Sequence, residues 1–257
     1  MNIIDTHTHL YLKEFDNDFD QVVKKSKEIG VKKFIFPSIH SKYNKKMISS
    51  YCKNKSIFEI MAGLHPAYVT DDNKKELDLV IKNLSLYNCV AVGEIGIDLY
   101  WKKKFLKDQK IVFKKQIQIA LDYNLPIVIH CREAFDHVYK ILKNYSNKNL
   151  KGVFHCFTGN EEQARKVCDL NFKLGIGGVV TFKNGGLDKY LHKIDLKNIV
   201  LETDSPYLTP APHRGKRNES SYIIYILDKL SEIYQLENKS IAEITTKNAI
   251  NIFNLNN

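Results

Sequence analysis

The stretch Asn-Ile-Ile-Asp-Thr-His-Thr-His-Leu, residues 2–10, is the segment that decides the fold. Its apolar opening and the threonines beside both histidines favour a β-strand over residues 2–8. Side chains alternate along a strand, so Asp5, His7 and His9 are expected on one face. Two adjacent imidazoles can chelate a metal ion, and Asp5 is placed to accept the second ring N–H of a histidine. The alternative is two histidines that only fill a surface or a core, and further ligands downstream would argue against it.

Length and composition fit one α/β domain. The chain has 257 residues, 44% of them hydrophobic, which suits a single barrel with a sizeable core. No apolar run reaches the ~20 residues that span a bilayer, and the amino terminus lacks the pattern of a signal peptide. Five cysteines form no CxxC pair, which favours free thiols in a reducing compartment. We therefore expect a cytoplasmic protein that is not bound to a membrane, and no obligate protein partner is evident.

The formal net charge of +10 has two explanations. An excess of positive charge suits a polyanionic partner such as nucleic acid. A genome rich in A and T would produce the same bias, because the chain is heavy in Lys, Asn and Ile. Arginine is scarce, yet Arg132, Arg214 and Arg217 all fall in the motif segments described below, and only Arg165 lies on an ordinary predicted helix.

Short apolar runs alternate with longer amphipathic segments along the whole chain. Strands are predicted over residues 2–8, 33–39, 58–64, 90–97, 126–131, 152–157, 173–179 and 198–203. Helices are predicted over residues 18–29, 42–53, 74–86, 108–123, 134–144, 160–170, 186–192, 219–235 and 240–253. Gly30 is expected to end the first helix, and Asn160 is expected to cap the amino terminus of the helix over residues 160–170.

The order of these segments predicts a single (β/α)8 barrel with an extra carboxy-terminal helix. Near-continuous apolar runs such as IVIHC and IVLETD are typical of parallel strands covered by helices. A doubly wound open sheet is the alternative, but no glycine-rich dinucleotide motif follows the first strand. No linker or break in composition is visible, so residues 1–257 are predicted to form one domain.

Polar residues that can bind metal stand at the ends of five predicted strands. In a barrel these ends share one rim, and charged or imidazole groups there are costly to bury unless they are paired or metal-bound. The residues are His7, His9, Glu94, His130, His155 and Asp204.

Six ligands exceed the needs of one tetrahedral ion and suit two. Glu94 comes from a middle strand, which makes it the expected bridge between the ions. Asp204 would complete the first site or orient the attacking water. Two such ions form a clamp for displacement at phosphorus. Four imidazoles favour Zn²⁺ or Mn²⁺ over Mg²⁺, although the sequence does not fix the metal.

The motifs at these strand ends resemble those of the TatD-type metal-dependent deoxyribonucleases, within the wider amidohydrolase-like barrel group. The resemblance spans nearly the whole chain in the family's order. The matching segments are DTHTHL (5–10), GLHP (63–66), VGEIGID (92–98), IVIHCREA (127–134), FHCFTG (154–159), ETDSPYL (202–208) and APHRGKRNE (211–219).

The resemblance implies a TIM barrel, two divalent ions (Zn, Mn or Mg) and hydrolysis of DNA phosphodiesters, often from the 3′ end. Carried over residue by residue, it implies the same six ligands. Glu94, as the bridge, and Asp204, which would accept or position the proton of the attacking water, are the expected catalytic residues. One departure lies after Glu219, where the family usually has Pro before a small residue and Tyr. This chain has Ser220-Ser221-Tyr222 instead, which concerns the start of the following helix and not the metal set.

Several side chains around the predicted metal site are candidates for substrate contact. Arg132 lies two residues beyond His130 and could clamp a phosphate, or could pair with Glu133. Arg214 lies in a basic loop after the eighth strand, a usual phosphate-binding place in barrels, or is simply solvated. His65 either contacts substrate or caps the turn before Pro66.

The loop over residues 99–105 interleaves aromatic residues with lysines. Tyr100 and Trp101 could stack on bases while the lysines follow phosphates, as in grooves for single-stranded nucleic acid. The alternative is that Trp101 packs on the barrel. Glu202 is expected behind the ligands, and Cys131 and Cys156 to face away from the metal as packed thiols.

Three functions remain open at this point. The first is a two-metal phosphodiesterase whose partner is DNA, either single strands or 3′ ends. The second is a hydrolase for a small amide or ester, since the same ligand set serves that chemistry. The third is a nucleic-acid binder without catalysis, which the complete ligand set disfavours.

Overall fold

A computed structural model describes residues 1–256 of the chain. Eight parallel strands pair in sequential order, each with the next. The strands are Ile3–Asp5 (β1), Val31–Phe36 (β2), Phe58–Ala62 (β3), Cys89–Asp98 (β4), Ile127–Arg132 (β5), Gly152–Phe154 (β6), Phe172–Ile176 (β7) and Ile199–Leu201 (β8). This order excludes the doubly wound sheet, in which the strand order reverses, and it confirms the predicted barrel.

Helices follow the strands and cover the outside of the barrel. They are Phe19–Glu28 (α1), Ser41–Lys53 (α2), Lys74–Leu86 (α3), Leu106–Asp122 (α4), Phe135–Lys143 (α5), Glu161–Asp169 (α6), Ile223–Tyr234 (α7) and Asn238–Phe253 (α8). Asn160 caps α6 with a reciprocal hydrogen-bond pair to Gln163, as predicted, and Gly30 lies just beyond α1 with a φ of 109°. None of the helices within residues 1–256 has the length and apolar character needed to cross a bilayer.

The predicted helix over residues 186–192 is wrong. The chain there forms two short 3₁₀ segments, Leu187–Lys189 and Leu191–Lys193, separated at Tyr190. Tyr190 lies between them because its hydroxyl donates to the carbonyl of Gly159, and Leu191 is fully buried. Tertiary contacts therefore override an apolar spacing that would also suit an α-helix.

The barrel closes between the first and the last strand. The backbone N–H of Thr6, just beyond β1, donates to the carbonyl of Leu201 at the end of β8. Further along the two segments, the N–H of Asp204 donates to the carbonyl of His7, and the N–H of His9 donates to the carbonyl of Ser205. These bonds hold the segments that follow β1 and β8 side by side at the carboxyl ends of the strands, called the rim below.

The opposite end of the barrel is covered by α8. Its residues Ala249, Ile252 and Phe253 pack with a buried apolar cluster drawn from seven strands, including Ile35 and Val128. The side chain of Asn248 donates to the carbonyls of Leu196 and Ile199, at the start of β8. The predicted extra carboxy-terminal helix therefore seals the end remote from the rim.

Candidate metal centre

The six side chains predicted as ligands meet in one pocket at the rim. Five are buried and His130 is partly buried. Strand β1 ends at Asp5, earlier than the predicted residue 8, yet His7 and His9 still point the same way. Their Nε2 atoms lie 3.3 Å apart. The predicted convergence of ligands from distant strands is therefore present in the structure.

Glu94 lies at the centre of this pocket. Its Oε1 atom is 2.8 Å from Nδ1 of His130, 3.3 Å from Nε2 of His65 and 3.6 Å from Nε2 of His155. Its Oε2 atom is 3.3 Å from Nε2 of His7 and 3.9 Å from Nε2 of His9. One carboxylate thus faces two groups of imidazoles, which is the placement expected of a bridging ligand.

Asp204 faces the same side as His7 and His9. Its Oδ1 atom lies 3.3 Å from Nε2 of His9 and 4.0 Å from Nε2 of His155. The residue has a φ of 57°, in the left-handed region where Asp is more readily tolerated than most residues. This backbone turn brings the carboxylate over the pocket directly after β8.

The donor atoms fit divalent cations. Three groups of three side chains each have ligand atoms within 4.8 Å of one another, and all three groups are drawn from the same pocket. They are His7 with His155 and Asp204, His7 with His9 and Glu94, and His65 with Glu94 and His130. Neutral imidazoles and carboxylates are the usual ligands of Zn²⁺ and related ions. His7 and Glu94 each belong to two of these groups, so the three groups form one continuous set of possible metal ligands.

Electrostatics keep the two carboxylates charged. Burial alone would raise the pKa of Glu94, but the imidazoles of His65, His155 and His7 hold it well below its usual range. Burial likewise opposes ionisation of Asp204, and the attraction of His155 and His9 lowers its pKa. Burial disfavours a charged His155, yet Glu202, Glu94 and Asp204 raise its pKa to about 10. The pocket is therefore a cluster of anionic oxygens and histidine nitrogens.

The second ring nitrogen of His9 contacts Tyr11 and not Asp5. The Tyr11 hydroxyl donates to the carbonyl of Pro37 at 2.7 Å, so at 3.0 Å it can only accept from Nδ1 of His9. This arrangement places the proton of a neutral His9 on Nδ1 and leaves Nε2 free for a metal. Sequence reasoning missed Tyr11, although its place two residues beyond His9 was the available signal.

The prediction that Asp5 orients a histidine is wrong. Its two carboxylate oxygens accept the backbone N–H and the hydroxyl of Thr203, at 2.9 and 2.7 Å. Asp5 is the last residue of β1, and Thr203 lies beside it just beyond β8. The carboxylate therefore joins the two ends of the barrel wall, and burial raises its pKa to about 7.

We expect Tyr11→Phe to weaken metal binding by about 10- to 100-fold, because His9 loses the acceptor that fixes its tautomer. The measurement is titration of metal-free protein with Zn²⁺ or Mn²⁺. Tyr234→Phe is the matched control, since that hydroxyl also donates to backbone carbonyls, of Leu191 and Ile194. Equal metal affinity in the two variants would contradict the role given to Tyr11.

Glu202 supports His155 from behind, as the sequence indicated. Its Oε1 atom lies 2.9 Å from Nδ1 of His155 and accepts the backbone N–H of Cys156 at 2.5 Å. Gly175 on β7 makes room for this carboxylate, because a Cβ there would overlap Oε2 of Glu202. Cys131 and Cys156 are absent from the groups that could hold an ion, and all five cysteines are free thiols.

Two further residues lie beside His130 and Glu94. Asp98, at the end of β4, lies 2.8 Å from Nε2 of His130 and was not among the predicted site residues. His65 does cap the turn at Pro66, because its Nδ1 atom accepts the backbone N–H of Ala67 at 3.0 Å. It also faces Glu94, with its Nε2 atom 3.3 Å from Oε1, and contact between His65 and substrate stays a prediction. The contact between His65 and Glu94 is visible only in the folded chain, because the pairing of β3 with β4 brings the two residues together.

Tyr100 and Trp101 are exposed at the mouth of the pocket, by 52% and 66%. Trp101 therefore does not pack on the barrel. Its backbone N–H donates to Asp98 at 2.6 Å, which links this loop to His130. Arg132 stacks on the Tyr100 ring, with its guanidinium carbon 3.8 Å from the ring centroid, and in the described part of the chain it pairs with neither Glu133 nor another carboxylate. These three side chains form one exposed group, called the aromatic mouth below.

The basic loop after β8 is partly occupied by structural contacts. Arg214 stacks on Phe182, 3.7 Å from the ring centroid, and donates to the carbonyl of Thr209. Arg217 forms a forked ion pair with Asp18. Tyr207, which was not predicted, lies with its ring centroid 5.9 Å from that of His9 and is 49% exposed. It is a second aromatic surface beside the pocket.

Comparison with known proteins agrees with this geometry. The family model described as TatD related DNase matches residues 4–254. The uncharacterized metal-dependent hydrolase YabD of Bacillus subtilis is 38% identical, and the alignment covers 99% of this chain and 100% of that protein. The metal-dependent hydrolase BU355 of Buchnera aphidicola, also uncharacterized, is 37% identical over 99% of this chain and all of its own.

A solved structure shows the same architecture. The TatD homologue YJJV of Escherichia coli K12 superimposes with a TM-score of 0.90 at 26% identity, covering 99% of this chain and 98% of that one. A TatD family hydrolase from Entamoeba histolytica, at 23% identity and a TM-score of 0.84, shares the fold. With the strand-end ligands in place, these matches establish that the chain belongs to the TatD family of metal-dependent hydrolases.

Proposed function

We propose that the protein hydrolyses phosphodiester bonds of DNA with two divalent metal ions, working on single strands from the 3′ end. The observation that carries this proposal is the position of Glu94 between two groups of imidazoles, one of which, that of His130, is linked through Asp98 to the aromatic mouth. Two adjoining ions suit in-line displacement at phosphorus. Exposed rings beside a guanidinium suit a substrate that has both bases and phosphates.

In this proposal the metal ligands are the six predicted residues, with Glu94 as the bridge. The first ion would be held by His7, His9 and Asp204, and the second by His130 and His155. The ions would be Zn²⁺, Mn²⁺ or Mg²⁺. When bound, they neutralise charge on the phosphate and increase the acidity of water. The whole chain, residues 1–257, would act as one domain in the cytoplasm without a protein partner.

The roles of the protein's own side chains follow from their surroundings. Asp204 stays ionised, so it can orient a water molecule and accept its proton. A neutral His65 has its Nδ1 lone pair occupied by the N–H of Ala67, so its proton is on Nε2, directed into the pocket. It would therefore donate a hydrogen bond to a phosphate oxygen. Arg132 would bind a neighbouring phosphate, with Tyr100 and Trp101 stacking on bases.

Arg214 has a weaker place in this proposal. Its guanidinium already stacks on Phe182 and donates to Thr209, so only its outward N–H groups remain for a phosphate. We keep it as a candidate contact at the edge of the site. Its loss should alter substrate affinity more than turnover, because a guanidinium is a cation that binds phosphate and does not ligate a metal ion.

We expect metal removal to abolish cleavage of a single-stranded oligonucleotide, and re-addition of Mn²⁺ or Zn²⁺ to restore it. Substrates labelled at the 5′ end or blocked at the 3′ end report the direction of shortening, and metal analysis reports the number of ions per chain. Stepwise shortening from free 3′ ends supports the proposal. Two bound ions without cleavage of any nucleic acid would contradict it and favour a hydrolase for small amides or esters.

A further inference from the structure

Positive charge is concentrated in one short segment of the chain. Residues 102–115 contain seven lysines and one aspartate, so they carry six of the ten net positive charges. None of these lysines forms an ion pair with a carboxylate among residues 1–256, whereas lysines on other helices do, such as Lys166 with Glu162 and Lys229 with Glu232. This segment comprises the end of the loop over residues 99–105 and the first part of α4.

The lysines of α4 lie along one side of the helix. Lys107, Lys110 and Lys114 are three and four residues apart, a spacing that places side chains on a common face. Lys107 and Lys114 are exposed, and Lys110 is partly exposed. A helix of a (β/α)8 barrel begins at the rim and runs down the outside. The row of three, called the lysine stripe below, therefore leads away from the metal centre.

Two buried glutamines fix α4 to the rim. Gln109 accepts the N–H of Asp98 at 2.7 Å and donates to the carbonyls of Asp98 and Lys102. Gln116 accepts the N–H of Leu64 at 2.7 Å and donates to its carbonyl. Both side chains are fully buried. The lysine stripe is thus held at a fixed position relative to the residues of the metal centre.

The aromatic mouth lies at the upper end of the lysine stripe. Only Lys102 and the short 3₁₀ segment Lys103–Phe105 separate Trp101 from the first turn of α4. Within it, Lys104 lies 4.8 Å from the centroid of the Phe105 ring. A single DNA strand whose end entered the pocket could therefore pass over the exposed rings of the aromatic mouth and then continue along the unpaired lysines of the stripe.

We propose that the lysine stripe binds the part of a single DNA strand that extends beyond the bond being cleaved. This inference rests on the proposed function, because it takes the strand's end to be in the metal centre. Unpaired lysines attract phosphates without regard to sequence. The exposed rings of Tyr100 and Trp101 can stack only on bases that are not stacked on one another, and these are available in a single strand but not in a duplex. The stripe would make affinity depend on strand length.

The test compares two triple variants of equal charge. Lys107→Ala/Lys110→Ala/Lys114→Ala removes the stripe. Lys24→Ala/Lys25→Ala/Lys27→Ala removes three exposed lysines from α1, between β1 and β2. Binding of a long phosphorothioate-linked oligothymidylate, which resists hydrolysis, is measured against salt concentration. Each phosphate contact with a single strand contributes about 0.7 to the slope of log affinity against log salt concentration. Because the stripe variant lacks three lysines, we expect the magnitude of its slope to be lower by about 2.

The control variant should keep the wild-type slope, and a trinucleotide should bind both variants equally. An equal loss in both variants would overturn the proposal, since total charge would explain it. A duplex bound as tightly as the single strand, with the same dependence on the stripe, would overturn the single-strand assignment. Cleavage is scored separately, so an altered slope without cleavage of any DNA would reject the proposed function and keep the binding surface.

Discussion

Glu94→Gln is expected to reduce turnover by about 10³-fold or more. Removing one preorganised electrostatic group costs about 10²- to 10³-fold, and the variant should also weaken metal binding. The amide keeps the shape of the side chain but replaces one oxygen by an NH₂ group. Each carboxylate oxygen of Glu94 faces an imidazole, Oε1 that of His130 and Oε2 that of His7. A single acceptor cannot serve both sides, so metal content should fall as well.

The measurement pairs turnover with metal analysis and thermal unfolding. Glu59→Gln is the matched control, because Glu59 is also buried and bonded, at 2.8 Å to Lys33, but contacts none of the candidate ligands. That variant should lose stability and keep its activity. Turnover near the wild-type level in Glu94→Gln would exclude Glu94 as the bridge.

Asp204→Asn has the second largest expected effect, a loss of about 10²- to 10⁴-fold in turnover, the usual range for removing a general base. Asparagine tolerates the left-handed backbone at this position, so the turn after β8 should persist. The variant removes the charge that attracts His9 and His155 and the group that would accept the proton of water.

Asp195→Asn provides the comparison for Asp204, since Asp195 is an exposed carboxylate that pairs with Lys197. It should leave turnover unchanged. The profile of turnover against pH adds a second readout. Below the lowered pKa of Asp204 the carboxyl is protonated, so wild-type activity should fall at acidic pH. Wild-type cleavage by Asp204→Asn would remove this residue from the proposed mechanism.

The main residues of the site could be predicted because the barrel imposes a simple rule. Parallel strands deliver the side chains at their carboxyl ends to one rim, so polar residues after apolar runs must converge. His130 and His155 follow this rule without any knowledge of loop conformation. The recurrence of such residues at five strand ends made the pattern informative where a single His-x-His was not.

Contacts made through loops could not be predicted in the same way. Asp5 was expected to reach a histidine, but β1 ends there and the carboxylate turns to Thr203. Tyr11 accepts the ring N–H of His9 instead, and although its spacing of two residues from His9 hinted at this, the second contact of its hydroxyl, with Pro37, is seen only in the folded chain. Arg132 was expected to pair or to bind phosphate, and its stacking on Tyr100 depends on how another loop folds. Such contacts are decided by tertiary packing, which sequence periodicity does not encode.

The closure of the barrel also determines when activity can first arise during protein synthesis. His7 and His9 are synthesised about 200 residues before Asp204 and the segment that bonds to them. At ribosomal speeds this delay is about 10 to 40 s. Throughout that interval the nascent chain holds exposed histidines but no complete ligand set. Its hydrolytic activity therefore begins only when the last strand is made, so a prematurely terminated chain would be inert.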